Sequence, residues 1–315
     1  MKIREYNKRA NKFYYFEPNK TIMIKSKYLL LTLLAISLSM VGRSQNVIAN
    51  KQLIIRLDDI GMCHSSNEGA ELIFQSGLPV SASVMFAAPW WKEGVEILKR
   101  YPNVAVGVHL TLNAEWQNYK WGPILGKEVP TLVDSLGYFP AKLTWYYNDI
   151  FALTEIEIEL KAQIERALAS GLHIDYIDNH MGACTMTTEQ RMLLERLASE
   201  YGLGISGYFG EISQSGVDSY KPNNLNEWWQ ELEKYPANGL SLMVNHPGMD
   251  SPEMNALFVE GRDGQPIAPG RALVTKTFTA KDFITKLKAI NIIPITYRDI
   301  IKQVGVRQMA RPQIK

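Results

Sequence analysis

The chain reads as an α/β protein, a (β/α) TIM-like barrel in distorted or incomplete form. Three observations predict this. Short apolar runs alternate with amphipathic helical stretches along most of the sequence, the pattern of a parallel sheet covered by helices. Seven such runs occur, close to the eight units of a full barrel. Finally, Asp58-Asp59, His109, His180 and His246 each fall just past an apolar run, at the strand ends where such barrels build their sites.

The N-terminus stands apart from this pattern. Residues 1–22 are basic and aromatic and show no periodicity. From Met23 onward come Lys25 and Lys27, an apolar stretch over 28–41, and the small residues Gly42 and Ser44. This is the layout of a secretory signal peptide, and the apolar stretch is short for a membrane span. Residues 1–48 are therefore expected to be an N-terminal extension and signal peptide, with Met23 a candidate start. The mature protein is expected to be secreted or periplasmic, or membrane-anchored if the segment stays uncleaved. Residues 51–305 form the expected barrel domain and 306–315 a C-terminal tail. The leader also carries the basic charge. Residues 1–50 hold nine Lys/Arg and two Asp/Glu, whereas the whole chain is +2, so residues 51–315 carry −5. The sequence pI of about 8.3 thus belongs to the leader and gives no support for a nucleic-acid partner.

Candidate strands are 53–58, 80–87, 104–110, 174–179, 203–207, 240–245 and 291–297. Of the helices between them, 155–170 is the clearest. Ile156, Leu160, Ile164 and Leu168 form one stripe and Gly171 follows as a stop. Thr187 or Thr188 is available to cap a helix ending before Gly202. Shorter helices are expected over 67–75, 91–101 and 280–290. Residues 113–150 and 246–272 are rich in Gly, Pro and aromatic residues. They read as long loops able to roof a site.

The acidic pair at the end of the first apolar run carries the functional reading. Successive strand residues point to opposite faces, which suits two jobs: one carboxylate on a metal, the other acting as a base. One carboxylate and two imidazoles suit Zn²⁺ or another divalent cation, with a position left open for water. A second carboxylate can take a proton from that water, and a further histidine can protonate a leaving group. The chain has five histidines. His173 precedes a strand, at the wrong end, and reads as structural. Asp178 or Asn179 could orient a ligating imidazole. Arg262 and Arg271, in the loop after His246, are candidate partners for Asp58. Trp116, Trp121 and Trp145, in the loop after His109, are candidate platforms for an apolar sugar face. Trp90-Trp91 and Trp228-Trp229 suit helix packing better. Cys63 and Cys184 follow Asp59 and His180 at the same offset of four. A disulfide and two free buried thiols are both open.

The order of these motifs resembles a known family. Asp58-Asp59-Ile60-Gly61, Asn67-Glu68-Gly69, Val84-Met85, Gly107-Val108-His109-Leu110, Asp178-Asn179-His180 and His246-Pro247-Gly248 are similar to the YdjC-like carbohydrate deacetylases, from about residue 52 to 300. The resemblance implies a barrel of the glycoside hydrolase/deacetylase type and removal of N-acetyl groups from an amino sugar or oligosaccharide. It implies Asp59, His109 and His180 as ligands of a divalent metal, Zn or Mg, with Co or Mn as further options. It implies Asp58 as base; His246 is the candidate acid. The chain departs from the family at Arg56-Leu57 and at Met62-Cys63-His64-Ser65-Ser66. His64 is thereby an extra imidazole expected at the pocket rim. His64, Trp116, Trp121 and Arg271 are the candidate substrate contacts. The competing readings are a glycosidase, which needs two carboxylates spaced across a cleft, and a non-catalytic glycan-binding protein on the same barrel. No membrane span is expected in the mature chain. The oligomeric state is open, with a homodimer among the options.

Overall fold

The first described strand, β1 (Lys51–Ile60), organises the molecule. The computed structural model describes residues 51–143, 151–219, 224–236, 238–259 and 266–312. The expected leader, Trp145 and Arg262 lie outside these residues. After β1 come α1 (His64–Gln75), β2 (Ser81–Val84), α2 (Trp91–Leu98), β3 (Ala105–Leu110), α3 (Leu153–Ala169), β4 (Ile174–Asn179), α4 (Thr188–Tyr201), β5 (Gly204–Ile205) and β6 (Ile212–Gln214). They are followed by α5 (Leu225–Glu233), β7 (Gly239–Asn245), α6 (Pro252–Asn255), α7 (Ala268–Phe278), α8 (Phe283–Ala289), β8 (Ile292–Ile295) and α9 (Tyr297–Val304).

All strand pairs are parallel, and the order is β5-β4-β3-β2-β1-β7-β6. β7 runs along residues 51–57 of β1. On its other edge β1 pairs with β8 over Lys51–Ile54 and with β2 from Arg56 to Ile60. Among the described residues, β5 and β6 do not pair with each other. The sheet is therefore a curled half-barrel, the incomplete form of the fold the sequence predicts.

Side-chain alternation along β1 feeds two different cores. Leu53, Ile55 and Leu57 join the large cluster of the molecule. Ile54 joins a smaller one with Tyr176, Leu240, Ile295, Tyr297 and Ile300. Arg56 and Asp58 share the parity of Ile54, so this face of the strand changes from apolar to charged toward its C-terminal end. Each fully buried Leu or Ile contributes about 1.5–3 kcal/mol, and together these residues hold the charged end in place.

Two motif glycines have packing reasons. A Cβ on Gly107 would stand 2.4 Å from the Tyr176 ring, which packs there with its hydroxyl 2.8 Å from Ser83 Oγ. A Cβ on Gly69 would stand 2.6 Å from Gly248 N, because α1 meets the His246-Pro247-Gly248 turn backbone to backbone.

Some elements differ from expectation. α1 starts at His64 rather than at residue 67, because Glu253, from α6, accepts from His64 N (3.4 Å) and Ser65 N (2.7 Å). That cap comes from far along the chain. α7 begins inside the expected loop 246–272, with Pro269 in its first turn, where proline costs no backbone hydrogen bond. β6, α5 and α9 were not expected. The loop after β3 is clamped by buried Glu159 of α3, which accepts from Ile124 N (3.0 Å) and Leu125 N (3.1 Å). α4 has the expected cap, with Thr187 and Gln190 bonding reciprocally, and ends at Gly202 with φ +68°. Near the C-terminus, Ala310 N donates to Tyr208 O and Arg311 pairs with Glu195. Among the described residues no helix is long and apolar enough to cross a membrane.

Candidate metal centre

Asp59, next to last in β1, has left-handed backbone, φ +63°, a region aspartate enters more readily than most residues. Here the pairing of β1 with β2 shifts register between Leu57 and Ile60. The irregularity overturns the simple alternation argument. Asp58 Oδ2 lies 3.8 Å and Asp59 Oδ1 3.5 Å from the same atom, His109 Nε2. The two carboxylates thus converge on one site instead of facing opposite sides of the sheet.

His109 comes from β3, and the strand register sets Asp178 of β4 directly beside it. Asp178 Oδ1 lies 2.8 Å from His109 Nδ1, which turns Nε2 toward the two aspartates. Asp178 therefore orients His109, not its neighbour in sequence, His180. His180 follows β4 in a turn where Met181 and Gly182 take positive φ (51° and 79°). Its Nδ1 is 3.3 Å from Asp59 Oδ1 and 3.3 Å from His109 Nε2, and its Nε2 is 2.9 Å from Glu115 Oε2. Asp59 Oδ1 is buried and makes no hydrogen bond. The ligand atoms of Asp59, His109 and His180 lie within 4.8 Å of one another, and this donor set suits a divalent cation.

Charge supports the same fit. Asp58, Asp59, Asp178 and Glu115 are buried together with Arg56 and Arg271. Four carboxylates against two guanidiniums leave two negative charges, and burial makes uncompensated charge costly. A divalent cation balances both. Without one, the two imidazoles take over the balance. Burial works against their protonation, but Asp178 and Asp58 outweigh it and raise the His109 pKa to about 9. Glu115 and Asp59 likewise outweigh burial at His180 and raise it to about 10. Both rings are thus protonated at neutral pH in the metal-free protein. Metal binding is expected to release up to two protons at pH 7. Apparent affinity should rise with pH by about tenfold per unit for each proton released. Calorimetric titration of Zn²⁺ in buffers of different ionisation enthalpy measures this. Binding with no proton release would contradict the assignment of both rings.

Each carboxylate of the pair has its own guanidinium. Arg56 donates to Asp58 through Nε (2.7 Å) and Nη2 (2.6 Å), and its Nε stands 2.9 Å from Asp178 Oδ2. Burial pushes the Asp58 pKa up, but Arg56 and His109 more than offset this and hold it below the ordinary carboxylate value. Arg56 also fills the second grouping of potential ligands, Asp58, His109 and Asp178. Arg271 Nη2 donates to Asp59 Oδ2 at 2.5 Å. It overcomes the burial penalty and keeps Asp59 well below the usual range. The expected pairing of Arg271 with Asp58 is thus corrected: Arg56 takes that place.

The centre opens onto a cavity of about 960 Å³. Asp59, Glu115, Trp116, His180, Asp218, His246 and Arg271 are among its lining residues. His246 follows β7, and its Nδ1 and backbone N both meet Asp218 Oδ2 (2.5 and 3.2 Å). Trp116 packs under the Arg271 guanidinium, 5.9 Å from its ring centre. Trp121 is not on the cavity wall. It is buried, donates to Asn113 O (3.0 Å) and turns its ring edgewise to His180. His64 is also absent from the wall. It sits on the first turn of α1, with Nδ1 2.8 Å from Glu93 Oε1 and its ring near Trp90. Cys63 and Cys184 are both buried free thiols. Of the residues that shape the centre, Glu115 and Asp218 have no place in the sequence reading, and Arg56 figures there only as a departure from the family pattern. Arg56 alone left a usable signal there: two residues before Asp58 on a strand, it shares that residue's face.

A model of the YdjC-like protein family matches residues 52–288. The chain belongs to the YdjC-like family. The match spans the motif series from Asp58-Asp59 to His246-Pro247-Gly248 and bears out the resemblance. The carbohydrate deacetylase of Thermoanaerobacter pseudethanolicus is 30% identical over 264 residues, covering 78% of this chain and 98% of that protein. The carbohydrate deacetylase of Enterococcus faecalis is 34% identical over 137 residues, 42% of this chain and 49% of that protein. Among solved structures, a proposed cellobiose-phosphate cleavage protein of Enterococcus faecalis superposes with a TM-score of 0.65 at 23% identity, covering 80% of this chain and 99% of that one. That likeness shows a shared fold.

Proposed function

We propose that this YdjC-like protein is a metal-dependent deacetylase that removes N-acetyl groups from amino sugars or oligosaccharides, acting outside the cytoplasm after loss of residues 1–48. The observation that carries the reading is the convergence of Asp58, Asp59, His109 and His180 beside a cavity that also holds His246. The names of the relatives support the substrate class.

Asp59, His109 and His180 would hold the ion. A divalent cation bound there supplies Lewis acidity, polarising the acyl carbonyl and lowering the pKa of water to about 7. Asp58, kept ionised by Arg56, accepts the proton of the attacking water as general base. His246, held through Nδ1 by Asp218, delivers a proton to the departing amine from its other ring nitrogen. Trp116 offers the sugar an apolar surface at the cavity wall.

A glycosidase would need one carboxylic acid kept protonated. Asp58 and Asp59 are both shifted the opposite way, which disfavours that reading for this pair. The test is acetate release from N,N′-diacetylchitobiose after chelation and restoration of Zn²⁺, Mg²⁺, Co²⁺ or Mn²⁺. Release is expected to vanish on chelation and return with metal. New reducing ends without acetate would select a glycosidase, and sugar binding with neither product a glycan-binding protein.

A further inference from the structure

The two histidines present opposite nitrogens to Asp59. His109 turns Nε2 inward because Asp178 takes its Nδ1. His180 turns Nδ1 inward, and the group that takes its Nε2 is Glu115. Glu115 is 5% exposed, and His180 is its only ion-pair partner among the described residues. Asn113 Nδ2 donates to the same carboxylate oxygen at 3.3 Å and steadies it. Glu115 lies six residues beyond His109, so the segment leaving β3 carries one imidazole and anchors the other. The proposed reaction gives Glu115 no proton to move.

We infer that Glu115 is a positioning residue: it fixes the ring of His180 with Nδ1 toward Asp59 Oδ1 and so sets the metal geometry. This rests on the metal-centre reading above. The physical reason is that an imidazole with one nitrogen unheld can rotate about its χ angles and offer either nitrogen. A carboxylate on the far nitrogen removes that freedom, selects the tautomer and makes the facing nitrogen a better donor. Glu115 also supplies one of the four buried carboxylates around the centre. Its loss therefore weakens cation binding through charge as well as orientation.

The test uses Co²⁺ bound to the whole protein, with affinity measured by competition against a chromogenic chelator and geometry read from the visible absorption of the ion. Glu115→Ala is expected to lower affinity by about 10–100-fold and to change the Co²⁺ band positions. Glu115→Gln keeps an acceptor oxygen on the same length of side chain. It should lose less affinity and keep a spectrum closer to wild type, giving the order wild type, Gln, Ala. If the Ala variant does not fold, the Gln variant carries the test, with a loss of several-fold expected. The turnover lost in either variant should be largely recovered at saturating metal, which a substrate-contact role would not produce. Co²⁺ affinity and spectrum identical to wild type in the folded variants would overturn the role of Glu115 while leaving the metal centre standing. A wild-type protein that binds no Co²⁺, Zn²⁺ or Mg²⁺ would overturn the metal centre itself, and this inference with it.

Discussion

Asp58→Asn is expected to reduce turnover by about 10²–10⁴-fold, the usual worth of a positioned general base, with metal binding retained. The amide keeps the shape of the side chain and can still accept from Arg56 through Oδ1, so the fold should persist. The ligand set of Asp59, His109 and His180 is untouched. What is lost is the proton acceptor, which is buried 3.8 Å from His109 Nε2. The pH profile gives a second reading. Arg56 and His109 outweigh burial and lower the Asp58 pKa, so at saturating metal the loss of activity due to this group should come only as pH drops below the ordinary carboxylate range and protonates it. Acetate release and Co²⁺ binding measured on the same preparations decide the matter. Activity within a few-fold of wild type, with metal bound, would remove Asp58 from the role of base.

Arg56→Met is expected to cost about 3–5 kcal/mol of stability, the penalty for removing one partner from a buried ion pair. Arg56 serves two buried carboxylates, Asp58 through two hydrogen bonds and Asp178 at 2.9 Å, and it reaches Ser206 Oγ at 2.7 Å. Methionine fills similar volume and takes the guanidinium away from both acids, leaving His109 as their shared partner. The sign with pH follows from the lowered pKa of Asp58. Its contribution to stability is present above its ordinary pKa near 3.8 and is lost as pH falls through the lower folded value. Without Arg56 the folded value rises, so the variant should unfold at a higher pH on acidification. Arg56→Lys should fall between the two, because one ammonium cannot reproduce a forked contact to two acids. Urea unfolding at pH 7 and an acid titration followed by circular dichroism measure both effects. A loss below about 1 kcal/mol, typical of exposed pairs, would show that this triad is not the buried unit described here.

Periodicity made the strands legible. Buried parallel strands are nearly continuous apolar runs, and seven of the eight strands lie within the expected segments or within two residues of them. β6 escaped because three residues with two exposed side chains carry no such run. α7 escaped because Pro269-Gly270 signals a turn as readily as a first helical turn. α1 was expected three residues late because its N-terminal cap, Glu253, is remote in sequence. Within the site, Asp59, His109 and His180 were legible as residue types at strand ends. Asp178 was legible as an orienting group, but which imidazole it takes, and the other partners, were not, because a hydrogen bond between distant segments leaves no local pattern.

What the amino-acid order determined by itself is the set of chemical groups and the end of the sheet on which they lie. Apolar alternation dictates strands, strands followed by helices dictate a parallel sheet, and both put the reactive residues at one edge. Tertiary structure alone decided how those groups are shared out. A left-handed residue at Asp59 and a register shift in β1 turned two carboxylates that alternation would separate toward the same imidazole nitrogen. Strand register gave Asp178 to His109, and the segment leaving β3 gave Glu115 to His180. Packing sent Arg56 to Asp58 and Arg271 to Asp59. The physical reason is range. Backbone preferences and hydropathy act over a few residues and can be read along the chain. Electrostatic pairing acts through space, and the folded sheet decides which charges meet.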